Sequence, residues 1–282
     1  MNIEISIIVP CYNQAEFLED ALQSVLDQRF ESWECIIVND GSDDDTEIIS
    51  KNWVSRDTRF KYFYKSNGGL CEARNYGVEN AVGEFILPLD ADDKIAPKYI
   101  EYAIDAFKKD NQIKLVYSEA EKFQEENGLW VLPDFSLEKL SQNNLIFCSA
   151  VFRKKDWSLV GGYDTQMKYG WEDWEFYISL LKNGGDVVKL DYIGFYYRIK
   201  ASSMLTSVKQ EQGNELLEYL SVKHADFFVK YYGSFHQLKE QNKKLKQSFH
   251  ENLNSEKFVI DAFLKKFLGF TIFGMLKKHD DG

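Results

Sequence analysis

The chain has 282 residues, 44% hydrophobic and 15% aromatic, enough to bury the core of one large α/β domain or two modest ones. Its formal charge of -11 speaks against a nucleic-acid binder, because phosphate contacts need clustered Lys and Arg that most of the chain lacks. Cys11, Cys35, Cys71 and Cys148 form no CxxC pair and have no His at zinc spacing, so reduced, mostly buried thiols of a cytosolic protein are expected.

The opening IEISIIVP has no basic region before it and is long enough only for a strand, so no signal peptide is expected, and no run reaches the roughly 18 apolar residues that cross a bilayer. Ile5 to Val9 reads as a buried strand that Pro10 ends, and Phe17, Leu18, Ala21, Leu22, Val25 and Leu26 recur at helical spacing. A second strand, Glu34 to Val38, runs into NDGSDDDT, whose Asp and Gly predict a turn and whose Asp/Thr cluster suits a helix start. A third strand at Phe60 to Tyr64, the loop SNGG, a helix near Cys71 to Ala81 and a strand at Phe85 to Leu89 complete an alternation that predicts a mainly parallel sheet. A helix near Ala96 to Lys108, begun by Pro97, opens a less regular half: a strand at Lys114 to Ser118, a hairpin around ENGLWVLP, the apolar LIFCSAVF, a helix near Glu172 to Lys182 and the strand-like VVKLDYIGFYYRI.

Beyond residue 210 the composition turns to helix formers, and residues 235 to 282 carry nine Lys against six Asp and Glu. The expected organisation is therefore residues 1–95 and 96–210 as two halves of one domain, then a helical extension over 211–282. Phe258 to Leu276 reads as a basic, aromatic amphipathic helix that lies on an anionic membrane, packs on the protein itself or pairs two subunits. Residues 236 to 253 offer Leu238, Leu245, Phe249 and Leu253 to a short coiled coil, against which Asn242 counts.

In open α/β sheets the ligand lies outside the carboxyl ends of the strands, and here PCYN, NDGSDD and DADD follow three such ends. Tyr12 offers a face for a base to stack on, and Asp40 an acceptor for a base N–H or an anchor for the DGS turn. Glu16 is placed in the first turn of a helix, and Gly68 and Gly69 allow close backbone approach. Asp90 and Asp92 are two apart, so on an extended strand they point the same way, and their oxygens suit Mg²⁺ or Mn²⁺ held with substrate phosphates. The competing reading makes Asp92 or Asp93 a cap of the helix that Pro97 begins. Glu172 and Asp173 stand in the first turn of a helix, whose positive end favours an ionised carboxylate, and Trp171 and Trp174 either stack on sugar rings or fill the core.

In order and spacing, SIIVPCYNQAEFLEDALQSVLDQ, ECIIVNDGSDDDT and SNGGLCEARNYGVENAVGEFILPLDADD resemble the nucleotide-binding half of the family 2 inverting glycosyltransferases of bacterial polysaccharide or O-antigen type. LVGGYDTQMKYGWEDWEFYISLLKNG resembles their acceptor segment, and the likeness covers about residues 4 to 205. It implies a GT-A fold: α/β, with a Rossmann-like nucleotide half and a mixed-sheet acceptor half. It also implies a nucleotide diphosphate sugar donor, first a UDP-sugar and then a dTDP-sugar, with Mn²⁺ or Mg²⁺. Pro10, Tyr12, Asn13, Glu16, Asp40, Ser42 and Gly69 fall at the donor, with Asp40 on a pyrimidine base and Arg74 near base and diphosphate. Asp92 falls on the metal, Asp90 on metal or ribose beside Ala91, and Asp93 at the turn. Asp173 is the implied base, with Trp171, Glu172 and Trp174 on the acceptor side. YYRIKASSM resembles the loop that closes over the diphosphate, with Arg198 the phosphate contact, but Lys200 stands where many relatives have His.

His224, His236, His250 and His279 all fall after residue 210, so carboxylates are expected to do the acid–base work. A nucleotidyltransferase would want a glycine-rich basic loop after the first strand, and a dehydrogenase GxGxxG; PCYNQ is neither. A non-catalytic sugar-nucleotide binder is the remaining alternative. The expected acceptor is a glycan or polyprenyl-linked sugar, and the expected location is the cytoplasm, at the inner face of the cell membrane if the tail binds lipid.

Overall fold

The computed structural model describes residues 3–200 and 208–276. Among these residues the strands β1 (Ile5–Cys11), β2 (Trp33–Asn39), β3 (Phe60–Tyr64), β4 (Phe85–Pro88), β5 (Lys94–Ile95), β6 (Ile113–Gln124), β7 (Gly128–Trp130), β8 (Val151–Arg153) and β9 (Asp186–Ile199) join one sheet. Its order is β3-β2-β1-β4-β8-β6-β9-β5, with β7 beside β6. The first four strands are parallel, as the βα alternation predicts, and β8 enters antiparallel between β4 and β6, giving a mixed second half.

The helices of the first half are α1 (Ala15–Leu26), α2 (Thr46–Arg56) and α3 (Leu70–Asn80). β1 and β2 are buried along their whole length, which is why they read as unbroken apolar runs rather than alternating ones. α3 packs across both, and Gly77 is where it comes closest: a Cβ there would overlap Ile8 Cγ2 and lie 3.2 Å from Val38 Cγ2. The second half adds α4 (Tyr99–Lys109), α5 (Leu137–Leu140), α6 (Lys154–Val160) and α7 (Glu172–Leu181).

Three local expectations change. Pro10 does not end β1, which runs on to Cys11. Ile8 bonds toward β4, accepting from Leu89 N, and Cys11 toward β2, accepting from Asp40 N, so the missing N–H of Pro10 faces the side where β4 has already finished. Pro97 does not start α4, which begins at Tyr99 after the short β5, so neither Asp92 nor Asp93 caps it. The amphipathic segment is not one helix to Leu276.

Two compact units meet between Phe227 and Phe228. α8 (Gln210–Lys223) and His224 lie in the first, where Leu216, Leu220 and His224 are buried and His224 Nε2 lies 2.7 Å from Glu175. His224 therefore belongs with the main body, although it does not line the cavity described below. α9 (Ala225–Tyr232) spans the junction, and the second unit holds α10 (Phe235–Asn254), in which no residue is buried, and α11 (Glu256–Leu268). α11 stops at Gly269, whose φ of 80° ends the helix, and the chain folds back so that Asp261 accepts from the backbone N–H of Ile272, Phe273 and Met275. No described helix is long and apolar enough to cross a membrane.

Because α3 carries Arg74 into the site, its seating on β1 and β2 should be sensitive to one side chain. Gly77→Val is expected to lower stability by about 2 kcal/mol through overpacking, read as a reduced denaturant midpoint; an unchanged midpoint would show that the helix can shift to accommodate it.

Candidate active site

The carboxyl ends of β1, β2 and β4 open onto a cavity of about 910 Å³. Pro10, Tyr12, Asp40, Gly69, Asp90, Ala91 and Asp92 line one side of it; Trp130, Asn144, Phe147, Trp171, Glu172, Asp173 and Lys200 come from the second half. The polar strand ends and the WED segment, far apart in sequence, thus share one space.

On the first side, Tyr12 leaves half its surface free, as a stacking platform requires. Asn13 and Ser42 clamp two loops together instead of facing the cavity: Asn13 N donates to Ser42 Oγ at 3.0 Å and Asp43 N to Asn13 Oδ1 at 2.9 Å. Glu16 is exposed in the first turn of α1 and does not line the cavity. Asp40, on the cavity wall, accepts from Gly68 N at 3.0 Å, Gly69 N at 2.8 Å and Lys65 Nζ at 2.7 Å. Its carboxylate thereby holds the SNGG loop, and Gly69, at φ 89°, takes a conformation that an L side chain rarely adopts.

Arg74 does not reach the cavity as a diphosphate contact. Its guanidinium is 1% exposed and lies between two carboxylates, Asp90 at 2.6 Å and Glu172 at 2.5 Å, one from each half of the fold. The next residue repeats the link: Asn75 Nδ2 donates to Tyr163 O at 2.7 Å and its Oδ1 accepts from Tyr163 N at 2.8 Å. The ARN motif is a clamp between the parallel and mixed halves of the sheet.

Asp92 pairs with Lys200 at 2.5 Å, and burial, then the neighbouring Asp90 charge, pushes its pKa up. Asp93 turns away from the cavity, accepting from Arg198 N at 2.8 Å while its own N donates to Asp90 O, so it supports the turn. Arg198 is not free for a phosphate: Nε donates to Asp92 O, Nη1 to Gln124 and Nη2 to Asp20, all within 2.7 Å. Lys200 does line the cavity, as does Lys168. The rest of the YYRIKASSM segment, from residue 201, lies outside the described residues.

On the opposite wall Trp171, at φ 57°, turns the chain into α7 and lines the cavity, whereas Trp174 is a core aromatic whose Nε1 donates to Leu140 O at 2.8 Å. Asp173 Oδ2 accepts from Asn144 at 2.9 Å and Oδ1 from Trp174 N at 2.7 Å. Burial, aided by the Glu172 charge, outweighs these bonds and the helix N-terminus and pushes Asp173 up to about 7. The ionised carboxylate that a helix N-terminus favours is here poised near neutrality. Asn144 gave no sequence signal, since the Asn pair in NNLI looks like any turn. Burial pushes the Cys11 thiol up to about 11 and that of Cys71 to about 12, so neither is a thiolate nucleophile at neutral pH.

The donor set suits a hard dication. Among the described residues, Asp90, Asp92 and Glu172 form their ion pairs with Arg74 and Lys200, three carboxylates against two cations, and buried Asp93 Oδ2 has no partner. Asp90, Asp93 and Cys148 bring one donor atom each within 4.8 Å of one another. Mg²⁺ or Mn²⁺ takes oxygen from such a set, and the thiol is the poorer ligand.

A parallel half with acidic strand ends, closed by a mixed half that brings a carboxylate at a helix start, is the GT-A glycosyltransferase fold. The Glycosyl transferase family 2 model matches residues 6–167, and that of the N-terminal domain of galactosyltransferase residues 135–202. The chain belongs to glycosyl transferase family 2. An uncharacterized glycosyltransferase of Rickettsia prowazekii is 31% identical over 279 residues, covering 93% of this chain and 80% of that protein. One from Rickettsia typhi is 35% identical over 195 residues, 63% of this chain, and the chain spans only 58% of its length. S. aureus TarS residues 1–349, solved with UDP, superposes with a TM-score of 0.66 at 20% identity, covering 81% of this chain and 70% of that one. A Pyrobaculum calidifontis mannosyltransferase in complex with GDP-Man and Mn²⁺ superposes with a TM-score of 0.59 at 15% identity, covering 88% and 81%.

Removing the shared guanidinium should leave two carboxylates without a counter-ion. Arg74→Met is expected to cost about 3 kcal/mol in stability by chemical denaturation, within the range for breaking a buried ion pair; a loss under about 0.5 kcal/mol would show the pairing to be incidental.

Proposed function

We propose that this chain transfers a sugar from a nucleotide diphosphate sugar, a UDP-sugar first and a dTDP-sugar second, to a hydroxyl of a glycan or polyprenyl-linked acceptor, inverting the anomeric centre by single displacement. The observation that carries the reading is that Asp90 and Asp92 line the same cavity as Asp173. UDP in the similar TarS structure supports the donor class. Tyr12 would take the base on its open face, and Asp40 would hold the SNGG loop against the nucleotide.

Asp92 and Asp90 would hold Mn²⁺ or Mg²⁺, which supplies the positive charge a departing diphosphate requires. Asp173 removes the proton from the acceptor hydroxyl, whose oxygen forms the new bond to the anomeric carbon. The bond from that carbon to the diphosphate oxygen breaks, and its electron pair leaves with the nucleoside diphosphate. Asn144 and the Trp174 N–H aim the Asp173 carboxylate. Glu172 is committed to Arg74 and so serves the frame, not the proton transfer.

The second unit supports a peripheral membrane role for residues 258–278, of which 277 and 278 lie outside the described residues. Phe263, Phe267, Phe270, Ile272 and Phe273 are exposed there, close in sequence to Lys257, Lys265 and Lys266. The full chain is expected to float with anionic vesicles and not with neutral ones. A concentration-dependent dimer that fails to float would favour pairing through the C-terminal helices instead.

A base whose pKa lies near 7 must be deprotonated to work, so kcat/KM should fall about tenfold per unit as pH drops below about 7 and level off above it. Asp173→Asn should lower transfer by about 10² to 10⁴ while leaving donor affinity intact; unchanged transfer would remove Asp173 as the base.

A further inference from the structure

The cation at the acidic strand end is part of the chain. Lys200 Nζ lies 2.5 Å from Asp92 Oδ2, with both side chains about five-sixths buried, and the ammonium also sits 4.8 Å from the centre of the Phe17 ring. This contact is built in, because Lys200 directly follows β9, and that strand is fastened to the DADD turn. Arg198 N donates to Asp93 Oδ1 at 2.8 Å and Arg198 Nε to Asp92 O at 2.6 Å, while Lys94 and Ile95 pair with Tyr196 and Phe195. The side chain is thus delivered to Asp92 from a fixed point, and it lines the cavity where the diphosphate would lie.

We propose that Lys200 is the resident counter-ion of Asp92, which a divalent cation must displace to bind, and that the freed ammonium then serves the nucleotide diphosphate. The proposal rests on the donor-site reading above and adds to it a residue that makes metal and donor binding depend on one another. A dication on Asp92 would sit close to the ammonium and the two positive charges repel, so with no donor present the ammonium competes with the metal for the carboxylate. Once a diphosphate is there, the ammonium has a second anion on the same wall, and releasing Asp92 costs less. Wild-type protein should therefore take up metal weakly alone and strongly with the nucleotide.

The test titrates Mn²⁺ into the intact protein, following free Mn²⁺ by electron paramagnetic resonance, with and without UDP, for wild type, Lys200→Gln and Lys200→Arg. Lys200→Gln is expected to bind Mn²⁺ alone about tenfold more tightly than wild type, since the competing charge is gone, with Lys200→Arg close to wild type. The gain in Mn²⁺ affinity that UDP confers should shrink in Lys200→Gln by a similar factor. Equal or weaker Mn²⁺ binding by Lys200→Gln in the absence of UDP, with binding clearly measured in wild type, would overturn the proposal and leave the metal reading standing. No Mn²⁺ binding by any of the three proteins, with or without UDP, would overturn both.

Discussion

A guanidinium with 1% of its surface exposed cannot stand in the interior without anions, and Arg74 finds one in each half of the molecule. Asp90 belongs to the strand end of the parallel half and Glu172 to the first turn of α7. Drawing both onto one cation makes the distance between the two halves a matter of charge neutralisation rather than loop packing alone. Asn75 adds backbone bonds to Tyr163 on the same helix. The same pairing sorts the carboxylates: Glu172 is spoken for, while Asp173, one residue on, faces the cavity, held by the Asn144 amide and the Trp174 backbone N–H.

That sorting sets the electrostatics of the wall that carries Asp173. A helix N-terminus favours an ionised acid, and two hydrogen bonds to Asp173 act in the same direction. Burial and the Glu172 charge act against them, and the balance comes out near 7. A carboxylate there is half ionised at neutral pH and more basic than an exposed one, which suits removal of a proton from an alcohol as its oxygen attacks. At the acidic strand end Arg74 and Lys200 each take one carboxylate oxygen, yet burial and the Asp90 charge still push Asp92 up.

Much of the frame was legible in sequence because parallel strands buried on both faces read as apolar runs and their polar ends stand out against them. Asp40, Asp90, Asp92, Trp171 and Asp173 all line the cavity, as expected from strand ends and a helix start. The partners of long side chains were not legible. Arg198 looked like a phosphate ligand, yet its guanidinium is occupied by Asp20, Gln124 and Asp92 O, and Asp20 lies 178 residues away. Arg74 and Glu172 are 98 residues apart, and no local pattern foretells their contact. Asn144 holds Asp173 from a segment without motif, and Pro10 stays in β1 because of which neighbour each β1 residue bonds to. The end of α11 at Gly269 was there to be read, a glycine just after a periodic run, but the aromatic residues beyond it continued the apolar pattern and concealed the break.

The central claim is that the acidic strand end and the cavity together hold a nucleotide diphosphate through a divalent cation. Thermal unfolding with UDP, dTDP and GDP, each with and without Mn²⁺, tests it most directly. The account predicts stabilisation of about 2.7 kcal/mol at a hundred times Kd for UDP, present with Mn²⁺ and lost without it. Equal stabilisation by UDP in the absence of any divalent cation, or no response to any of the three nucleotides, would contradict it.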